Sequence, residues 1–69
     1  MYSFVVQNVK RLGRNIVEGS GFKSRREAFE GALKEVERIA LMEGMLSREA
    51  DEVLEFCLFQ DGQPINPYG

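Results

Sequence analysis

The sequence predicts an α+β domain in which an N-terminal β-hairpin is followed by two α-helices, a ββαα order. Three observations carry that expectation: a β-branched and aromatic opening with a glycine available for a turn, a capped helical run between Gly19 and Gly44, and a second helical period beginning after Ser47. The central run, G-S-G-F-K-S-R-R-E-A-F-E-G-A-L-K-E-V-E-R-I-A-L-M-E-G, is the longest periodic segment, and the other elements must pack on it.

Residues 2–9, Y-S-F-V-V-Q-N-V, favour a strand. K-R-L-G-R-N then supplies a turn at Gly13, and I-V-E-G-S-G-F returns, giving strands over roughly 2–9 and 15–22. In this hairpin Tyr2, Phe4 and Val6 share a face that Ile16 and Phe22 join, and the other face carries Val5, Val9 and Val17. A rival pattern places Val5, Val9, Leu12 and Ile16 on one helical stripe, which would make the chain an all-α three-helix bundle. Val5, Val6, Asn8, Gly13 and Asn15 are poor helix residues, and the hairpin is preferred for that reason.

Ser24 and Glu27 form a capping box at the start of the first helix. From there Ala28, Phe29, Ala32, Leu33, Val36, Ile39 and Ala40 make the buried stripe. Leu41, Met42, Met45 and Leu46 form an apolar corner with Gly44 as the helix stop. Ser47 is the expected cap of the second helix, along which Ala50, Val53, Leu54, Cys57 and Leu58 follow the helical period. A strand at 55–60 closed by an Asp61-Gly62 turn is the alternative. Residues 1–62 are thus expected to form one domain, and 63–69 a loose tail.

At 69 residues the chain buries only ~60% of the surface it exposes when unfolded. A single cysteine, Cys57, permits no internal disulfide, and the absence of histidine argues against a zinc site. No cofactor or metal is expected. Self-association remains as support, because a two-stranded hairpin is marginal alone, and a homodimer is predicted. With no signal-type segment or long apolar run, the chain reads as a soluble, cytoplasmic protein without a membrane partner.

Charge is segregated along the chain. Residues 1–26 hold six basic groups and one acidic, a net +5, whereas residues 27–69 hold three basic and ten acidic, a net −7. Opposed fields of this kind steer partners more than they stabilise folds.

Two surfaces follow. The acidic one combines Asp51, Glu52 and Glu55 with Phe56 and Phe59, aromatics that fall off the second helical stripe and resemble interface anchors. The basic one comprises Lys10, Arg11 and Arg14 at the hairpin tip and Lys23, Arg25 and Arg26 at the first helix start, where free N–H groups attract anions. Around this start, V-E-G-S-G-F-K-S-R-R-E-A-F-E-G-A-L resembles the end of a double-stranded-RNA-binding domain over roughly residues 15–36. That resemblance implies phosphate contacts from Ser24, Arg25 and Arg26. This chain differs in lacking the family's first helix, in one extra residue between Gly21 and Ser24, and in the acidic helix that follows.

Catalysis has little support: no histidine is available as a base, and Cys57 falls on the apolar stripe as a core thiol. The expected function is that of a non-enzymatic interaction protein. Its most concrete form is a small inhibitor of the kind phages encode against host machinery (anti-CRISPR proteins are one such class), blocking a basic surface on a nucleic-acid-handling protein. The alternative is a nucleic-acid backbone binder acting through the basic residues.

Overall fold

The computed structural model describes residues 1–10 and 17–68. Strand β1 (Tyr2–Asn8) pairs antiparallel with β2 (Val17–Phe22) on one side and β3 (Leu54–Gln60) on the other, and β4 (Gln63–Ile65) completes a sheet of order β2-β1-β3-β4. Between the two hairpins run helix α1 (Arg25–Met42) and the short α2 (Ser47–Val53). The architecture is therefore α+β, and β1 is a strand, which overturns the three-helix alternative.

The alternation of β1 places Phe4, Val6 and Asn8 inward. Register aligns Phe4 with Leu58, Val6 with Phe56 and Asn8 with Leu54 across β3. Val6 and Leu58 are fully buried, each worth ~1.5–3 kcal/mol of apolar transfer. On the other side Tyr2 pairs with Phe22, Phe4 with Gly19 and Val6 with Val17. The irregularity between Tyr2 and Phe4 is a bulge on β2 that reverses the alternation beyond it. Val17 consequently joins the core side, where the sequence pattern had put it outside. Ile16 and the turn glycine Gly13 lie outside the described residues.

Helix α1 crosses the face that carries Phe4. Ser24 caps it, its Oγ accepting from the Glu27 N–H at 3.1 Å. The Glu27 carboxylate accepts from the N–H of Lys23 at 3.1 Å, one residue earlier than a strict capping box. Ala28 and Ala32 face the sheet with no exposure. The helix stops in a Schellman motif: Met45 N–H donates to the Ala40 carbonyl at 2.8 Å, and Gly44 N–H to that of Leu41 at 3.3 Å. Gly44 occupies the left-handed position, φ +68, that this motif requires.

The second helix is shorter than its periodicity suggested. Leu46, not Ser47, is its N-cap, with no side-chain cap bond, and it ends at Val53. From Leu54 the chain is strand, as in the alternative pattern. Leu54, Phe56 and Leu58 satisfy a period of two as well as Leu54 and Leu58 satisfy a helical one. The Asp61-Gly62 pair decides between them, because both residues take positive φ, +50 and +84, in a two-residue hairpin turn. Residues 63–65, expected as tail, form β4, with Leu58 opposite Ile65 and Gln60 opposite Gln63. Val9 N–H donates to the Val53 carbonyl at 2.8 Å, tying the end of β1 to the helix–strand junction.

Phe4 sits between two close-approaching glycines. A Cβ at Gly19 would lie 2.3 Å from Phe4 Cε2, and one at Gly31 would lie 3.1 Å from the same atom. Replacing Gly19 by Ala should therefore cost about 1–3 kcal/mol by overpacking, measured by urea denaturation. Adding Phe4→Leu should make the double variant less destabilised than the sum of the singles. A Gly19→Ala protein as stable as the parent would show that the ring moves freely.

Candidate functional site

The acid-and-aromatic surface is rearranged by the switch from helix to strand. In β3 the side chains alternate, so Phe56 and Phe59 point to opposite faces. Phe56 stands opposite Val6 on the helix-covered face and meets the Phe29 ring edge-on, centroids 5.6 Å apart at 70°. Phe59 stands opposite Ser3 on the uncovered face, beside Val5 and Cys57, which are opposite each other. Cys57 is exposed there, so it is not the core thiol its helical placement implied.

Asp51, Glu55 and Phe56 are neighbours at the start of β3, although the strand alternation turns the Glu55 side chain, opposite Gln7, to the uncovered face with Cys57 and Phe59. Asp51, Glu55 and Phe56 line a depression of about 510 Å³ with Leu33, Val36, Leu54, Pro67 and Tyr68. A second depression, about 480 Å³, shares Leu33, Val36 and Asp51 and continues along Ala40, Leu41 and Met45 to Ser47, with Glu37 at its margin. The two form one groove between α1, α2 and the start of β3. Glu52 is exposed on α2 but does not line the groove, and Phe59 is on the far side of the sheet.

The groove exists because α1 has more apolar residues than the sheet can cover. Ala28, Ala32 and Ile39 are buried, while Leu33 and Val36, turned toward α2, are only partly covered. α2 has two turns and fills only part of the gap. Leu41 is 84% exposed and Tyr68 77% exposed, at opposite ends. Tyr68 is held by an edge contact to Phe29, centroids 5.5 Å apart, and by its N–H donating to Asn66 Oδ1 at 2.9 Å.

The basic residues are dispersed. Arg11 and Arg14 lie outside the described residues. Lys10 follows β1 at one end of the sheet, its N–H donating to Asn8 Oδ1 at 2.9 Å. Lys23, Arg25 and Arg26 lie at the other end, where Tyr2 pairs with Phe22; the length of β1 separates the two, ~25 Å. Arg26 Nε donates to Glu30 Oε1 at 3.3 Å on the surface. Arg25 borders a shallow depression with Tyr2, Gln60, Ile65 and Asn66.

Among the described residues, no three His, Cys, Asp or Glu side chains gather as a metal would require, and no helix is long and apolar enough to cross a membrane. No family model, no curated protein and no solved structure matches the chain.

The groove was partly signalled by the apolar corner of Leu41 and Met45. Tyr68 and Pro67 were not signalled, because nothing in the tail composition shows that β4 returns the chain to α1.

The two phenylalanines should separate experimentally. Phe56→Ala removes a partly buried ring packed on the core and should cost about 2–4 kcal/mol, whereas Phe59→Ala on the open face should stay within about 0.5 kcal/mol of the parent; thermal melts measure both. Cys57 should react with a thiol reagent in the native protein as quickly as after unfolding, and protection of the thiol would contradict its exposed position.

Proposed function

We propose that the protein is a non-enzymatic docking module whose partner is a basic protein, bound on the side of the molecule formed by α1, α2 and the start of β3. One observation carries this reading: acids and uncovered apolar side chains converge on a groove that no Lys or Arg lines, whereas Lys10 and the Lys23, Arg25 and Arg26 group lie at opposite ends of the sheet. Glu37 and Asp51 edge a groove floored by aliphatic and aromatic groups. Four of the large exposed hydrophobics, Leu33, Leu41, Met42 and Leu46, belong to α1 or the α1–α2 corner, and Tyr68 closes the other end. An exposed apolar patch with a charged margin is the usual form of an interaction site. If the partner handles nucleic acid, covering its basic surface would make this chain an inhibitor.

A nucleic-acid backbone binder needs cations on one continuous track. The described cations do not form one. Duplex RNA and DNA should accordingly give no gel shift at low salt, and changing Arg25 and Arg26 to Glu should leave partner binding intact. A shift that disappears in that variant would replace this reading with phosphate binding.

Position-specific photo-cross-linking in the native host tests the docking side directly. A benzophenone amino acid replacing Tyr68 should give one discrete protein adduct, and the same probe replacing Ser3 on the open sheet face should give none. An adduct at position 3 alone, or none at either position, would overturn the reading.

A further inference from the structure

We propose that the groove takes an amphipathic helix of the partner, apolar along one side and rich in Lys or Arg along its flanks. This rests on the docking reading above and names the occupant.

The sheet cannot readily accept a strand. One free edge is β4, three residues long and containing Pro64, which has no N–H to pair. The other is β2, whose irregular register interrupts the edge and whose Glu18 adds charge to it. Both are devices that discourage strand addition. An extended peptide would thus find only a short or interrupted run of described backbone groups to bond. A helix satisfies its own backbone and needs only a trough for its apolar side.

The trough has suitable dimensions and chemistry. From Leu33 to Leu41 it follows eight residues of α1, ~12 Å at 1.5 Å per residue, and Tyr68 extends it beyond. That length seats anchors at i, i+3 or i+4, and i+7 of a docked helix. The floor is apolar at Val36, Ala40, Met45, Leu54 and Phe56, and the charged side chains at its margin, Glu37 and Asp51, are acidic. No Lys or Arg lines either half. Flanking cations on the ligand would meet the Glu37 and Asp51 carboxylates at the margin, where such pairs set orientation and association rate.

A second copy of this chain is a poor occupant. Two grooves placed face to face would bring acidic margins together. Helix α1 balances its four cations, Arg25, Arg26, Lys34 and Arg38, with Glu27, Glu30, Glu35 and Glu37, and its apolar side already serves its own sheet. The first turns of α2 carry acids.

The test uses the whole protein and labelled synthetic peptides of about 18 residues, long enough to hold helix. One has Leu on one side and Lys on the other; one replaces Lys by Glu; one keeps the Leu/Lys composition in scrambled order. Fluorescence anisotropy should show binding of the Leu/Lys helix, with at least about tenfold weaker binding of the other two and loss of affinity at high salt. Amide NMR shifts should concentrate at Leu33, Val36, Ala40, Met45 and Tyr68. Leu41→Glu, and separately Glu37→Lys with Asp51→Lys, should weaken binding about tenfold; these side chains are exposed, so the fold is retained, and amide spectra verify that. Glu18→Lys on β2 should change nothing.

Equal binding of the scrambled peptide, shifts centred elsewhere, or undiminished binding by the groove variants would overturn the proposal. So would a homodimer dissociated by Leu41→Glu, which would give the groove to a second copy. A discrete adduct at position 68 together with failure of the Leu/Lys helix would remove the helical occupant and leave the docking reading standing. No adduct would remove both.

Discussion

The rest of the structure depends on how closely α1 approaches the β1–β2 hairpin, and that distance is set by Phe4. Its ring is 4% exposed and lies between Gly19 of the neighbouring strand and Gly31 of the helix above. Phe22 leans on it with centroids 5.7 Å apart and planes at 34°. Glycine inside a helix costs ~1 kcal/mol relative to alanine, and glycine in a strand packs nothing of its own. Both costs are offset by letting one aromatic fill the space of three side chains. With Ala28 and Ala32 also at the contact, the helix rests on the sheet through small residues and is held low over its first half.

That seating determines what remains uncovered. A helix drawn close at Ala28, Gly31 and Ala32 turns Leu33 and Val36 toward the side where only the two turns of α2 stand. The Schellman stop at Gly44 then reverses the chain over Met45 instead of extending cover past Leu41. The groove is thus the remainder of the packing solution, with no separate device needed to form it. Its floor is continuous with the core: Val36, Ala40, Met45 and Phe56 all pack against the buried cluster.

The sequence made some of this legible and hid the rest for identifiable reasons. The hairpin, the Ser24 cap and the Gly44 stop depend on local chemistry and could be read directly. Residues 54–58 satisfy two periods at once, so only the turn behind them separates strand from helix; weighting Asp61-Gly62 above the periodicity would have found β3. The bulge reversed Val17, because a one-residue irregularity is invisible to a strict alternation. The site was half legible. Asp51 and Phe56 do meet, but a helical period puts Glu55 and Phe59 beside them where the strand turns both across the sheet, and Tyr68 depends on a strand pairing outside its own segment.

Charge plays a separate part from packing in this molecule. Among the described residues the only buried polar or charged side chain is Asn8, so no charged group is held inside the core. The ion pairs among the described residues are surface ones, such as Arg38 Nε to Glu35 Oε2 at 2.7 Å and Arg26 to Glu30, worth at most about 1 kcal/mol each. The terminal amine also contacts the Asp61 carboxylate on the surface. The fold would therefore tolerate many other distributions of sign. A margin of Glu37 and Asp51 beside an apolar trough is not required by stability, and like charges gathered on one side oppose it slightly. What such a margin does supply is a field toward the solvent, acting before contact and on charge of the opposite sign. Packing thus explains the trough, and under the docking proposal the acids beside it are what select the charge of its occupant.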